Sequence, residues 1–197
     1  MQRNRFRRQL LSMVEGALML ALAFALDVLC KLIPAPFPYG GGISVAVLPI
    51  IYYTYRRGTA WGLGAGAAFA VLQIITGWYL PPAGTWWAVV LCVLLDYLLA
   101  FTAAGCAALF ARPFGRRRLL GYAVGSAAVG VIRFLCSFAS GVILWDSYAP
   151  EGMNAWVYSL VYNGGYMLPN TVIITVLVVA LTAALDPLTL RPMRRRG

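Results

Sequence analysis

Histidine is absent from this 197-residue chain, and acidic side chains number six against sixteen lysines and arginines. Without an imidazole there is no Ser/His/Asp relay and no HExxH metal pair, and no GxxxxGKS loop offers a cradle for nucleotide phosphates. The chain therefore lacks the usual equipment of an enzyme or an ATP-driven motor. Its four cysteines, Cys30, Cys92, Cys106 and Cys136, follow no CxxC spacing and lie in apolar runs. They read as small core residues, so neither a metal nor a cofactor is expected.

Apolar surface is what the chain has in excess. With 61% hydrophobic and 11% charged residues and a mean hydropathy of +0.78, it carries more than a soluble domain of its length can bury. The expected fold class is an all-α membrane protein, a compact six-helix transmembrane bundle forming one domain over residues 1–197. Long apolar runs recur throughout, so a cleaved signal peptide is a poor account of the first. About 20 mostly apolar residues cross the hydrocarbon core, which puts spans at 9–33, 43–55, 59–77, 86–111, 119–144 and 157–185. The second is too short for a full crossing and follows "PAPFPYGGG". There the prolines and glycines predict a loop dipping into the protein ahead of a short helix.

Charge position gives the orientation. Arg3, Arg5, Arg7 and Arg8 precede the first span, Arg56 and Arg57 follow the second, Arg112 and Arg116 to Arg118 follow the fourth, and Arg191 and Arg194 to Arg196 follow the sixth. Only Lys31 and Arg133 fall outside these alternate connections, and the opposite connections carry Asp146 and Glu151. The positive-inside rule predicts both termini in the cytoplasm, with the 34–42, 78–85 and 145–156 loops outside. That arrangement accounts for the net charge of +10 without nucleic acid. Trp78, Tyr79, Trp86, Trp87, Trp145 and Trp156 fall near the outer ends of the spans, where an aromatic belt is expected.

Asp96, in "VLLDYLLAF", lies roughly 15 Å of helix from the outer end of the fourth span, at 1.5 Å per residue. A carboxylate at that depth must face the bundle interior and have a partner. Arg133 lies at a comparable depth in the fifth span, so an Asp96–Arg133 ion pair is one reading. The other makes Asp96 the counter-charge of a cationic ligand, with Tyr97 beside it. Tyr158 and Tyr162 share a face at i and i+4, Asn163 is close to that face, and Trp145 ends the preceding span. Such a group offers a flat cationic heteroaromatic molecule ring faces, an amide and a charge; it is also what an interfacial aromatic cluster looks like. Ala17, Ala21 and Ala25 form a small-residue stripe on the first span that would let another helix approach.

The stretches "VEGALMLALAFAL", "GGISVAVLPIIYYTYRRGTAWGLGAG", "LDYLLAF", "GVILWDSYAPEGMNAWVYSLVYNG" and "YMLPN" carry a family resemblance over nearly the whole chain. It resembles the thiamine-specific S-components of energy-coupling factor (ECF) vitamin transporters. The resemblance implies a high-affinity substrate-binding subunit in the bacterial cell membrane. Such subunits associate with a transmembrane coupling subunit and two ATPases that supply the energy. It also implies a thiamine site at Asp96, Tyr97, Ser137, Gly141, Trp145, Tyr158 and Asn163, and a coupling-subunit surface at Ala17, Ala21 and Ala25. The chain departs from the family pattern in three places. The family carboxylate is usually glutamate where Asp96 stands, Ser137 occupies a position usually held by histidine, and an aromatic that some members contribute from the first outer loop has no counterpart in "PYGGGIS". A thiamine-related molecule such as a pyrimidine precursor is the alternative ligand, and a stand-alone small-molecule transporter the alternative function.

Overall fold

The computed structural model describes residues 2–35 and 41–191, with side chains from Arg5 onward. Pro38, Tyr39 and Gly40 of "PYGGGIS", and Arg194 to Arg196, lie outside the described residues, as does the side chain of Arg3. The described residues fold into helices without strands. We number six rods: α1 (Gln2–Lys31), α2 (Leu48–Arg57), α3 (Thr59–Thr76), α4 (Trp86–Phe114), α5 (Arg118–Leu144) and α6 (Ala155–Ala184). All but α2 are long and apolar enough to cross a membrane.

The helix ends follow local chemistry more closely than the hydropathy windows do. α1 starts at Gln2, ahead of the expected residue 9, because "QRNRFRRQ" is polar but contains good helix formers. α2 starts at Leu48, later than the expected residue 43, with Pro49 in its first turn, where a missing N–H costs nothing. α6 starts at Ala155 because the Asn154 side chain accepts from the Trp156 amide at 2.8 Å, an N-cap.

The short α2 is the centre of the bundle, with Ile50, Ile51, Tyr53 and Thr54 at most 1% exposed. The chain leading into it is irregular yet buried, Ala46 and Val47 being 2% exposed. Its polar backbone groups are covered by one side chain of α6. Asn170 accepts from the Ser44 amide at 2.9 Å and donates to the Gly42 carbonyl at 3.1 Å. The described residues 41–47 of this segment are thus held by hydrogen bonds from the protein, as irregular backbone at that depth requires; residues 36–40 of the expected loop lie outside the described residues.

Three ion pairs lie at one end. Glu15 of α1 receives both Arg56 and Arg57, Arg56 also donates to the Pro187 carbonyl at 2.9 Å, and Arg118 meets Asp186 at 2.7 Å. Tyr53 donates to the Ser12 carbonyl at 2.8 Å in the same region. These contacts clamp α1, α2, α5 and the segment after α6 together. On the outside of the bundle, Ala17, Ala21 and Ala25 are all exposed, flanked by Leu18 and Leu22.

Candidate ligand-binding site

Where α4 leaves Cys92 it widens into a π-helical stretch, Val93–Leu99, before returning to tighter turns. Such stretches are rare and occur often at functional sites. Adjacent residues of a regular α-helix point about 100° apart; the wider π turn reduces that angle, and both Asp96 and Tyr97 line one cavity. The cavity has a volume of about 780 Å³, within the usual range for small-molecule sites. It lies at the end of the bundle away from the Glu15 and Asp186 ion pairs.

Asp96 is held by hydrogen-bond donors. Its Oδ2 accepts the hydroxyl of Ser140, which is fully buried on α5, and the Cys92 thiol at 3.6 Å. The Ser137 hydroxyl and the Trp145 ring also lie beside the carboxylate. No ion pair joins Asp96 to Arg133 among the described residues. The guanidinium of Arg133 instead lies 4.9 Å above the centre of the Phe101 ring. Of the two readings left open by the sequence, the ion pair is the one this geometry does not adopt.

Asn163 makes the second polar group, and here the structure modifies the expectation. Its amide nitrogen donates towards the Ser137 carbonyl at 3.2 Å and towards the Ser159 carbonyl and hydroxyl, each at 3.1 Å. Its oxygen accepts from Tyr166 at 3.0 Å. The side chain is 5% exposed and ties α5 to α6, so it shapes the wall more than it offers free donors. Gly141 permits this approach: a Cβ there would overlap Ser159 Oγ and lie 2.9 Å from Asn163 Nδ2. Ser159 completes the seam by donating to the Phe138 carbonyl at 2.8 Å.

Aromatic rings cover the rest. Trp145 stacks on Tyr148 with centroids 5.8 Å apart and planes 27° apart. Along α6, Tyr158, Tyr162 and Tyr166 form an i, i+4, i+8 ladder with successive centroids 5.8 Å apart. Tyr97 accepts from the Tyr79 amide at 3.2 Å.

Asp96, Tyr97, Ser137, Gly141, Trp145, Tyr158 and Asn163 all border this one cavity. Trp86 and Trp87, 80% and 46% exposed, face outward as belt residues do. Tyr79, assigned to the belt from its position, borders the cavity instead, and Cys92 does more than fill core, since its thiol reaches Asp96. Sequence reasoning missed Ser140, Tyr166, Asn170 and the Asp27–Lys31–Gln73 group that borders the cavity from α1 and α3. In that group Lys31 meets Asp27 at 2.7 Å and Gln73 at 3.3 Å. Ser140 did leave a trace, a hydroxyl one turn from Ser137 in an apolar helix.

Comparison with known proteins agrees with this picture. The family model described as thiamine transporter protein (Thia_YuaJ) matches residues 13–190. The thiamine transporter ThiT of Lacticaseibacillus paracasei is 32% identical over 196 residues, covering 90% of this chain and 90% of its own. ThiT of Bacillus subtilis is 30% identical over 174 residues, covering 84% and 87%. The solved structure of ThiT from Listeria monocytogenes superposes with a TM-score of 0.71 at 22% identity, covering 88% of this chain and 94% of that one, a likeness of fold. With its fold and with relatives aligned over most of their length, the chain belongs to the thiamine transporter protein family.

Proposed function

We propose that this protein is the substrate-binding S-component of an ECF-type importer and that its ligand is thiamine. The observation that carries the reading is Asp96, a carboxylate inside an apolar bundle that is held by Ser140 and Cys92, beside Ser137 and Trp145, but neutralised by no cation among the described residues. Burying such a charge is costly unless something positive joins it. Thiamine brings a permanently cationic thiazolium ring and a flat aminopyrimidine. The first needs a counter-charge and ring faces, supplied by Asp96, Trp145 and Tyr158; the second needs a narrow aromatic slot, supplied by the α6 tyrosine ladder. The relatives named as thiamine transporters support the same ligand.

The chain has no nucleotide-binding sequence, so uphill uptake requires partners. The exposed Ala17, Ala21 and Ala25 stripe is the surface on which a coupling subunit would pack, with two ATPases behind it. The alternation of basic connections supports cytoplasmic termini and a bacterial plasma-membrane location, with the cavity opening outward. Mass spectrometry of small molecules released from the purified, detergent-solubilised protein tests the ligand. Thiamine in the released fraction is expected. A pyrimidine precursor in its place would move the assignment to the alternative ligand.

A further inference from the structure

Four formally charged side chains border the cavity: Asp27, Lys31, Asp96 and Arg133. Asp27 and Lys31 neutralise each other at 2.7 Å, and Asp96 is the counter-charge of the ligand's ring in the reading above. Arg133 is left over. It makes no ion pair or hydrogen bond to any described residue, and its buried Nε has no acceptor at all. The ring of Phe101 beneath it offers a π face but no lone pair. That ring is itself fixed edge-on against Phe69 at 5.2 Å, so the guanidinium rests on a rigid wall. A cation in this position opposes a cationic ligand unless the ligand also brings an anion.

We infer that the cavity contains an oxyanion subsite at Arg133, and that it takes a phosphate group in line with the ring bound at Asp96. This rests on the thiamine reading. On α5, Arg133, Ser137 and Gly141 succeed one another at i, i+4 and i+8 on one face, and all three border the cavity. Arg133 thus lies one turn, about 6 Å, nearer the Arg118 end than Ser137, which lies beside Asp96. The hydroxyethyl arm of thiamine, with its oxygen esterified to phosphorus, covers a comparable distance at roughly 1.5 Å per bond. A planar guanidinium is the side chain best suited to two phosphate oxygens at once. A second cavity behind Arg133, about 20 Å³ and bordered by Ser126, Asn170 and Thr171, has room for one water and none for phosphate. The anion therefore belongs to the main cavity.

The group can arrive as the ester of thiamine monophosphate or as free inorganic phosphate beside thiamine, and one calorimetric series separates the two. Thiamine and thiamine monophosphate are titrated into the wild type, Arg133→Gln and Arg133→Lys, and thiamine again with millimolar inorganic phosphate present. For an ester subsite, Arg133→Gln weakens the monophosphate at least about tenfold more than thiamine, and Arg133→Lys restores part of the loss. For free phosphate, inorganic phosphate tightens thiamine binding in the wild type and not in Arg133→Gln. Equal losses for both ligands in Arg133→Gln, with no phosphate effect in the wild type, overturn the subsite while leaving the thiamine reading intact. If Arg133→Gln does not fold, Arg133→Lys carries the comparison, because a point charge in place of the planar fork should weaken the monophosphate selectively. Failure of the wild type to bind thiamine in any condition overturns the thiamine reading itself.

Discussion

Ser140 on α5 donates its hydroxyl to Oδ2 of Asp96 in the π turn of α4, joining the two helices at the point where the bundle holds its unneutralised acid. This contact sets the direction in which the carboxylate faces the cavity. Replacing Ser140 by alanine removes the donor without adding bulk in a fully buried place. Thiamine binding should weaken by ~1 to 2 kcal/mol, the scale of a hydrogen bond to a charged group. Calorimetry alongside a thermal melt checks it: unchanged affinity in a folded variant would show that Ser140 does not position the acid.

The rings make a second, separable contribution. Trp145→Ala and Tyr158→Ala should each weaken binding by ~1 kcal/mol or more through lost stacking and cation–π attraction. Trp86→Ala should have no effect, because Trp86 is 80% exposed and does not border the cavity. Ligand should also quench tryptophan fluorescence, and Trp145→Phe should remove most of the quench. A signal carried by Trp86 or Trp87 would contradict the assignment.

Ser137 and Gly141 came only with the family resemblance, whereas the long apolar helices, the irregular entry to α2 and the polar or aromatic character of Asp96, Tyr97, Trp145, Tyr158 and Asn163, which border the cavity, were readable in the sequence itself. Each rests on a local signal: apolar run length, a Pro/Gly cluster, or a motif such as "WDSYAPEGMN". What escaped notice depends on contacts between distant positions. The π turn at Val93–Leu99 has no composition of its own, and Ser140 matters only because that turn presents Asp96 to it. Asn170 likewise reads as one polar residue after a proline until the loop at Gly42 and Ser44 folds onto it. For Arg133 the sequence leaves an ion pair with Asp96 as one of two readings, because depth along two helices says nothing about which faces meet, and the structure places it over Phe101 instead.

Asn170 supplies a stability prediction. Asn170→Ala leaves the Ser44 amide and the Gly42 carbonyl without their partner where the chain enters the protein. An unsatisfied buried group costs ~1 to 3 kcal/mol, so the melting temperature in detergent should fall. Ligand should recover part of the loss by binding only the folded state. An unchanged melting temperature would mean that the loop is held by other contacts.

Coupling is predicted to depend on the outer face of α1. Ala21→Trp puts a large side chain on an exposed position of the stripe and should leave thiamine binding by the isolated protein within about twofold, since surface changes away from a site are usually small. Uptake in cells containing the coupling subunit and ATPases should be lost, because backbones that need small residues to approach are held apart. Retained uptake and co-purification would place the partner on another face.

The counter-charge role of Asp96 is tested most directly by calorimetric titration of the purified wild type and Asp96→Asn with thiamine and, in parallel, with the neutral aminopyrimidine portion of the molecule. The wild type should bind thiamine, and the variant should lose ~1 to 3 kcal/mol for thiamine, as loss of a charge-assisted contact in a desolvated site requires. Its affinity for the neutral pyrimidine should be nearly unchanged. Equal thiamine affinity in the two proteins, or no thiamine binding by the wild type, would contradict the assignment of Asp96 as the ligand's counter-charge.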